Sequence, residues 1–96
     1  MAYIRMSIAR PRHGQEQQLE DAMRKLNDLA KETPGCIATY LLRPHDDSSE
    51  IARISIYDSE ASADAAANTN AFLVARSEMH LVTEPGHQER AFFSFD

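Results

Sequence analysis

Hydrophobic and polar residues alternate along four short segments of the chain, a pattern typical of strands with two different faces. In the first segment, Ile4, Met6 and Ile8 fall on one face and the residues between them on the other. The predicted strands cover residues 3–10, 36–43, 50–57 and 88–95. The chain therefore supplies enough strands for one sheet.

Two longer stretches are predicted to be helical: one carries apolar residues at the three- and four-residue spacing of an amphipathic helix, and the other begins with a segment rich in alanine and acidic residues. The first is predicted to be a helix over 15–33 and ends at Pro34-Gly35, a pair that stops helices. The second covers 60–67 and 70–82, with a break predicted at the polar residues 68–70.

The resulting order is β-α-β-β-α-β, the ferredoxin-like plan of the α+β class. It predicts a four-stranded antiparallel sheet whose first and third strands are central and whose helices lie on one face. The other face must be polar or covered, and we expect a second copy of the chain to cover it, sheet against sheet. We expect residues 1–96 to form a single domain.

Composition narrows the possible partners. The chain has 96 residues, a formal net charge of −5 and a pI near 5.3. This charge disfavours nucleic acid and anionic membranes as partners. The start lacks the pattern of a signal peptide, and no apolar run approaches the roughly 18 residues of a membrane span. One cysteine, Cys36, makes no internal disulfide, so we expect a cytoplasmic protein.

The least ordinary feature is a row of polar side chains on one face of each central strand. They are Tyr3, Arg5 and Ser7 on the first strand, and Arg53, Ser55 and Tyr57 on the third. Buried arginines are costly without anionic partners, and arginine binds carboxylates or phosphates. The row therefore indicates a pocket that holds an anionic or phenolate ligand.

The alternative is that the arginines pair with carboxylates across a dimer or reach solvent at the sheet ends. Periodicity does not tell whether this face looks at the helices or at the partner sheet.

Histidines provide a second set of candidates. In the predicted topology His13, His45 and His87 lie at one end of the sheet, with Asp46-Asp47 beside His45. Such residues can hold a transition metal, but loop histidines are usually solvated, and we predict no metal site. His80 lies on the second helical region and is the best candidate for a general base near neutral pH. The alternative is a helix-end histidine without a catalytic role.

Two residues beside the helix break could face a ligand. Asn70 either stabilises the break or reaches the pocket to polarise a substrate oxygen. Phe72 belongs to a stripe that lines the core and could also form the wall of an apolar cavity. Cys36 follows Pro34-Gly35 with no basic neighbour and is expected to be a buried structural thiol.

Several short motifs resemble the antibiotic biosynthesis monooxygenase family of dimeric α+β barrels. They are Pro11-x-x-Gly14, Pro34-Gly35-Cys36, the segment YDSEAS at 57–62, and Ala71-Phe72. The resemblance covers nearly all of the chain. It implies a homodimer with a pocket between sheet and helices in each protomer. It also implies an oxidoreductase that uses no metal or flavin, because family members oxidise phenolic or anthrone-type rings with oxygen in this way. Other members degrade haem, and many have no known activity.

The departures from the family pattern limit the activity. Haem-degrading relatives use an asparagine, a tryptophan and a histidine at positions where this chain has Ser7, Ala66 and Arg76. Tryptophan is absent from the chain, so haem degradation by that route is excluded. Many family members also have a histidine on the second helix at the position that Ala66 occupies in this chain.

The resemblance predicts a cofactor-independent monooxygenase that acts on a small aromatic or phenolic compound. In this hypothesis Arg5 or Arg53 holds the ionised substrate, Tyr57 and Ser7 orient it, and His80 takes the proton. The family pattern, in which the position of Ser7 faces the pocket, favours the helix side of the sheet. The alternatives are a non-catalytic or stress-associated binding barrel and a cofactor-free isomerase on the same fold.

Overall fold

Seven elements follow one another in the order β-α-β-β-α-α-β in the computed structural model, which describes residues 1–96. They are β1 (Tyr3–Ala9), α1 (Glu16–Lys31), β2 (Cys36–Leu42), β3 (Ile51–Tyr57), α2 (Glu60–Ala67), α3 (Asn70–Leu81) and β4 (Gln88–Phe93). Every predicted element is present, and the predicted break separates α2 from α3. Most predicted elements extend one or two residues too far, because periodicity does not mark where backbone pairing ends.

The sheet has the strand order β2-β3-β1-β4, and all its pairings are antiparallel. The two central strands are therefore β1 and β3, as predicted. Their register places Tyr3 opposite Tyr57, Arg5 opposite Ser55, and Ser7 opposite Arg53. Because side chains alternate along a strand, this register combines the two polar rows into one surface.

The helices pack on one face of the sheet through an apolar core. The central cluster joins α1 to α3 and consists of buried residues from both helices and the end of β1: Ala9, Leu19, Met23, Leu26, Phe72, Ala75 and Met79. A second cluster packs the small side chains of α2 against the aromatic ends of the central strands: Tyr3, Ala30, Tyr57, Ala63 and Ala66. Burial of this apolar surface is the main force that holds the helices to the sheet.

Local capping fixes where the second helical region bends. Ser59 Oγ accepts a hydrogen bond from the Ser62 amide and begins α2. Thr69 has an extended backbone, and its Oγ1 accepts a hydrogen bond from the Phe72 amide at 3.2 Å. Side-chain caps of this kind satisfy amide groups that a helix start leaves free. The second cap turns α3 so that Phe72, Ala75 and Met79 reach the core.

The opposite face of the sheet, away from the helix layer, is mainly apolar, with Gln88 and Arg90 as polar residues on the edge strand β4. Its large apolar side chains alternate with the polar row and come from all four strands: Ile4, Met6, Ile8, Tyr40, Leu42, Ile54, Ile56 and Phe92. Tyr40 is 54% exposed, and Leu42 and Phe92 are each 39% exposed. We call this surface the open sheet face. No helix of the chain has both the length and the apolar character to cross a membrane.

Candidate functional site

The polar row on β1 and β3 faces the helices. Arg53 Nη1 donates hydrogen bonds to Asn27 Oδ1 on α1 at 2.8 Å and to Ser55 Oγ at 3.1 Å. A bond to α1 is possible only if the Arg53 side chain points to the helix layer. The question that periodicity left open is therefore answered in favour of a pocket between sheet and helices.

A cavity of about 260 Å³ lies between the polar row and the helices. Leu26, Phe72 and Met79 provide its apolar wall, and Arg53 and Tyr57 lie on its sheet side. Further lining residues include three side chains that adjoin this sheet surface: Tyr3, Arg5 and Ser7. The volume is close to the lower end of the range for small-molecule sites, which suits a ligand of one or a few rings.

Arg53 is a buried cation without a carboxylate partner. Its side chain is buried, with the residue 7% exposed, and its Nε atom is buried with no hydrogen-bond partner. The guanidinium carbon lies 5.5 Å from the centre of the Phe72 ring. Burial lowers the pKa of Arg53, but an arginine remains charged in proteins. An uncompensated buried charge is costly, so this end of the cavity is suited to an anionic group.

Arg5 differs from Arg53 in its surroundings. It forms an ion pair with Asp64 of α2, and both side chains are partly exposed. Its guanidinium lies 5.5 Å from the centre of the Tyr3 ring. The charge of Arg5 is thus already compensated within the chain, so Arg53 is the better of the two predicted arginines for holding an anion.

Tyr57 brings a phenol to the cavity lining at the end of β3. The residue is 2% exposed, and burial raises the pKa of its hydroxyl above the ordinary value. The hydroxyl therefore stays protonated at neutral pH and can donate a hydrogen bond to a bound oxygen atom.

Several polar residues at the site were not predicted as such, among them Asn27, Arg76 and Glu89. Asn27 lies on the buried stripe of α1, where an asparagine among apolar residues was the available signal. Glu89 lies opposite Ser7 in the register of β1 and β4, and its Oε2 accepts a hydrogen bond from Arg76 Nη2 at 2.8 Å. Arg76 and Glu89 both line the cavity and are partly exposed, so we call this pair the cavity rim.

The remaining predicted site residues lie elsewhere. Asn70 is exposed at the start of α3 and does not line the cavity. His80 is exposed near the end of α3 and is also absent from the lining, although its ring centre lies 4.9 Å from that of His87. Burial, followed by the charge of His87, lowers the pKa of His80. The structure thus combines Arg5, Ser7, Arg53, Tyr57 and Phe72 in one cavity, but not His80 or Asn70.

The loop histidines do not form the group that the topology allowed. His87 lies with His80 and Glu89, and these three form the only group of three or more potential metal ligands in the chain. His13 and His45 are exposed and belong to no such group.

The family model of the antibiotic biosynthesis monooxygenases matches residues 1–78. Several solved structures share the fold at low sequence identity. A putative antibiotic biosynthesis monooxygenase from Nitrosomonas europaea has a TM-score of 0.87 at 16% identity, over 98% of this chain and 90% of that one. Rv0793 from Mycobacterium tuberculosis has a TM-score of 0.89 at 14% identity, over 100% and 97% of the two chains.

A third similar structure carries a described activity. A variant of SnoaB, a cofactor-independent oxygenase from Streptomyces nogalater, has a TM-score of 0.87 at 15% identity, over 99% of this chain and 94% of that one. Among proteins of curated function, none matches this sequence. At these identities the structural likeness establishes the fold: a ferredoxin-like α+β protomer.

Proposed function

This chain belongs to the antibiotic biosynthesis monooxygenase family, and from that premise we propose that it is a cofactor-independent monooxygenase. Its substrate in this proposal is a small aromatic or phenolic compound bound as an anion. The observation that carries the proposal is the buried Arg53 guanidinium, which has no carboxylate partner and adjoins the cavity. The activity described for SnoaB, a structural neighbour, supports the same class of reaction.

The reaction can be balanced without any added reductant. An activated methylene of a phenolic ring system loses two hydrogens to one oxygen molecule, gives a carbonyl, and releases one water molecule. Both electron pairs come from the C–H bonds of the substrate. The substrate anion is the electron-rich form that transfers electrons to oxygen. Stabilising this anion promotes the loss of a proton from the substrate, which is the step that forms it.

The residues of the cavity have separate tasks in this proposal. Arg53 holds the phenolate oxygen through guanidinium N–H groups that make no hydrogen bond within the chain. Tyr57 donates a hydrogen bond that orients the ring. Ser7 offers a further hydroxyl, and Phe72 packs against the ring face. A low-dielectric surrounding strengthens the attraction between the anion and Arg53.

The proton from the substrate needs an acceptor. The prediction that His80 takes this proton has little geometric support, because His80 is exposed and lies outside the lining. We therefore assign the proton to water at the cavity rim, where Arg76 and Glu89 are partly exposed. No histidine lines the cavity.

The absence of a histidine from the lining also favours a second candidate function. A barrel that binds an anionic aromatic ligand without turning it over needs Arg53 and the apolar wall but no acid or base. This candidate shares the ligand class with the monooxygenase and differs only in turnover.

We also propose that two copies pair through the open sheet face. Its apolar side chains lie on all four strands, and Tyr40, Leu42 and Phe92 are substantially exposed in the single chain. A contiguous apolar surface of this kind marks an interaction site in a soluble protein. A second copy would cover the face with an identical surface and complete a barrel.

The test is oxygen uptake by metal-stripped protein with a panel of anthrones, naphthohydroquinones and other quinols. We expect uptake above the enzyme-free rate with at least one anthrone, because its ring methylene is the group that this reaction oxidises to a carbonyl. Arg53→Met should lower the rate by about a hundredfold, as the loss of one oxyanion donor does in other enzymes. Arg12→Met, which removes an exposed loop arginine, is the matched control and should retain the wild-type rate.

Two results would contradict the proposal. Uptake that survives Arg53→Met unchanged would show that this arginine does not hold the reacting anion. No uptake across the panel, together with saturable binding of one of the compounds, would identify the non-catalytic binding barrel instead.

A further inference from the structure

We propose that His80, His87 and Glu89 form a binding site for a divalent transition-metal ion such as Zn²⁺ at the cavity rim. One donor atom from each residue lies within 4.8 Å of the other two. The three residues come from the end of α3, from the segment before β4, and from β4 itself. A bound ion would therefore join the second helical region to the edge strand.

The side chains need only small movements to reach one ion. Donor atoms held about 2.0–2.1 Å from a tetrahedral ion lie about 3.3 Å apart. His87 Nε2 is already 3.7 Å from Glu89 Oε1. His80 and Glu89 are exposed and His87 is half-buried, so rotation of the side chains can close the remaining distance without a change in the core.

The two oxygens of the Glu89 carboxylate face different neighbours, Arg76 and His87. Its Oε2 atom accepts the hydrogen bond of Arg76, while Oε1 is the atom nearest to His87. Hydrogen bonds from neighbouring groups fix metal-binding carboxylates in this manner. The Arg76 charge offsets that of Glu89, so attraction by net negative charge is weak at this site. Selection then depends on the two imidazoles, which favour zinc, copper, nickel and cobalt over magnesium and calcium.

Three protein ligands leave part of the coordination sphere open. Sites of this type keep one position for water or for a ligand oxygen. Because Glu89 also lines the cavity, an ion held by Glu89 would lie near the cavity. The proposal does not depend on turnover, since metal binding is measured without substrate.

The test is calorimetric titration of zinc chloride into tag-free, metal-stripped protein. We expect one ion per chain with micromolar affinity, and no saturable heat with magnesium chloride. His80→Ala and His87→Ala should each weaken zinc binding by at least about tenfold, since losing even a supporting group of a metal site has an effect of that size. His45→Ala removes an exposed histidine from the loop before β3 and is the matched control.

A second measurement excludes simple misfolding of the variants. Zinc should raise the thermal midpoint of the wild type and of His45→Ala, because it binds only the folded state. It should leave the midpoint of His87→Ala unchanged. The absence of saturable zinc binding in the micromolar range would overturn the proposal. Equal weakening by His45→Ala, or wild-type affinity in His80→Ala, would also overturn it.

Discussion

Arg53 on β3 and Asn27 on α1 are joined by a side-chain hydrogen bond of 2.8 Å between residues that lie 26 positions apart in sequence. Both side chains are buried. The amide oxygen of Asn27 is a neutral acceptor, so it holds the guanidinium in place without neutralising its charge. A carboxylate at the same position would neutralise the cation and remove its attraction for an anionic ligand. The pair therefore places a fixed positive charge beside the cavity.

Asn27→Ala should lower the free energy of unfolding by about 1–2 kcal/mol. Loss of a hydrogen bond to a charged group costs about 1.5–3 kcal/mol, and the better helix propensity of alanine returns part of this. Urea unfolding measures the change. Gln18→Ala on the exposed side of the same helix is the control and should stay within about 0.5 kcal/mol of wild type.

The coupling between the two residues can be measured in a double-mutant cycle. In an Arg53→Met background, Asn27→Ala should cost clearly less than it does alone, because its main partner is already gone. Equal costs in the two backgrounds would contradict the interaction.

Tyr57→Phe should make stability less sensitive to alkaline pH. Burial raises the pKa of Tyr57 in the folded chain, so the unfolded chain loses this proton first as the pH rises. The stabilising contribution is therefore complete below the unfolded value, about 10, and decreases as the pH rises towards the higher folded value. Urea unfolding at pH 8 and at pH 10.5 should show a smaller loss of stability in the variant than in the wild type. An identical loss in both proteins would show that Tyr57 ionises equally well in the folded and unfolded chains.

Gly35→Ala should be more destabilising than Gly14→Ala, although both glycines have a positive φ, +91° and +77°. At Gly35 a Cβ atom would overlap Ser62 Oγ and come within 2.7 Å of Asp58 Oδ1, whereas at Gly14 it would meet no atom within 4 Å. The left-handed backbone costs a non-glycine residue about 1–2 kcal/mol at either site, so the difference measures the clash with Ser62 and Asp58. Thermal or urea unfolding gives both values. If the two variants lose equal stability, Ser62 and Asp58 can move aside at no cost.

The element order could be predicted because it depends on local signals, and the central positions of β1 and β3 followed from the ferredoxin-like plan that this order indicates. The alternation of Ile4, Met6 and Ile8 predicted β1, and Pro34-Gly35 predicted the end of α1. Thr69 and its neighbours gave the break between α2 and α3 by the chemistry of helix caps. Each of these signals lies within a few residues of the feature that it predicts.

The partners within the site could not be predicted in the same way. Arg5 and Arg53 occupy equivalent positions in the alternating pattern, yet one is paired with Asp64 and the other lacks a carboxylate. That difference depends on how α1 and α2 pack on the sheet. The pairing of His87 with His80 instead of His13 and His45 likewise depends on where β4 starts relative to the end of α3.

Ile54→Glu should separate the proposed dimer. Ile54 lies on central strand β3, opposite Met6 on one side and Tyr40 on the other, in the middle of the open sheet face. A carboxylate buried in an apolar interface loses its hydration without gaining a partner, so association becomes unfavourable. Light scattering after size exclusion should give about twice the chain mass of 10.8 kDa for the wild type and a single chain mass for the variant. Val74→Glu changes an exposed apolar residue on α3, on the other side of the sheet, and should leave the dimer intact. A wild-type mass equal to one chain, or an intact dimer in Ile54→Glu, would show that the open sheet face is not the surface through which two copies pair.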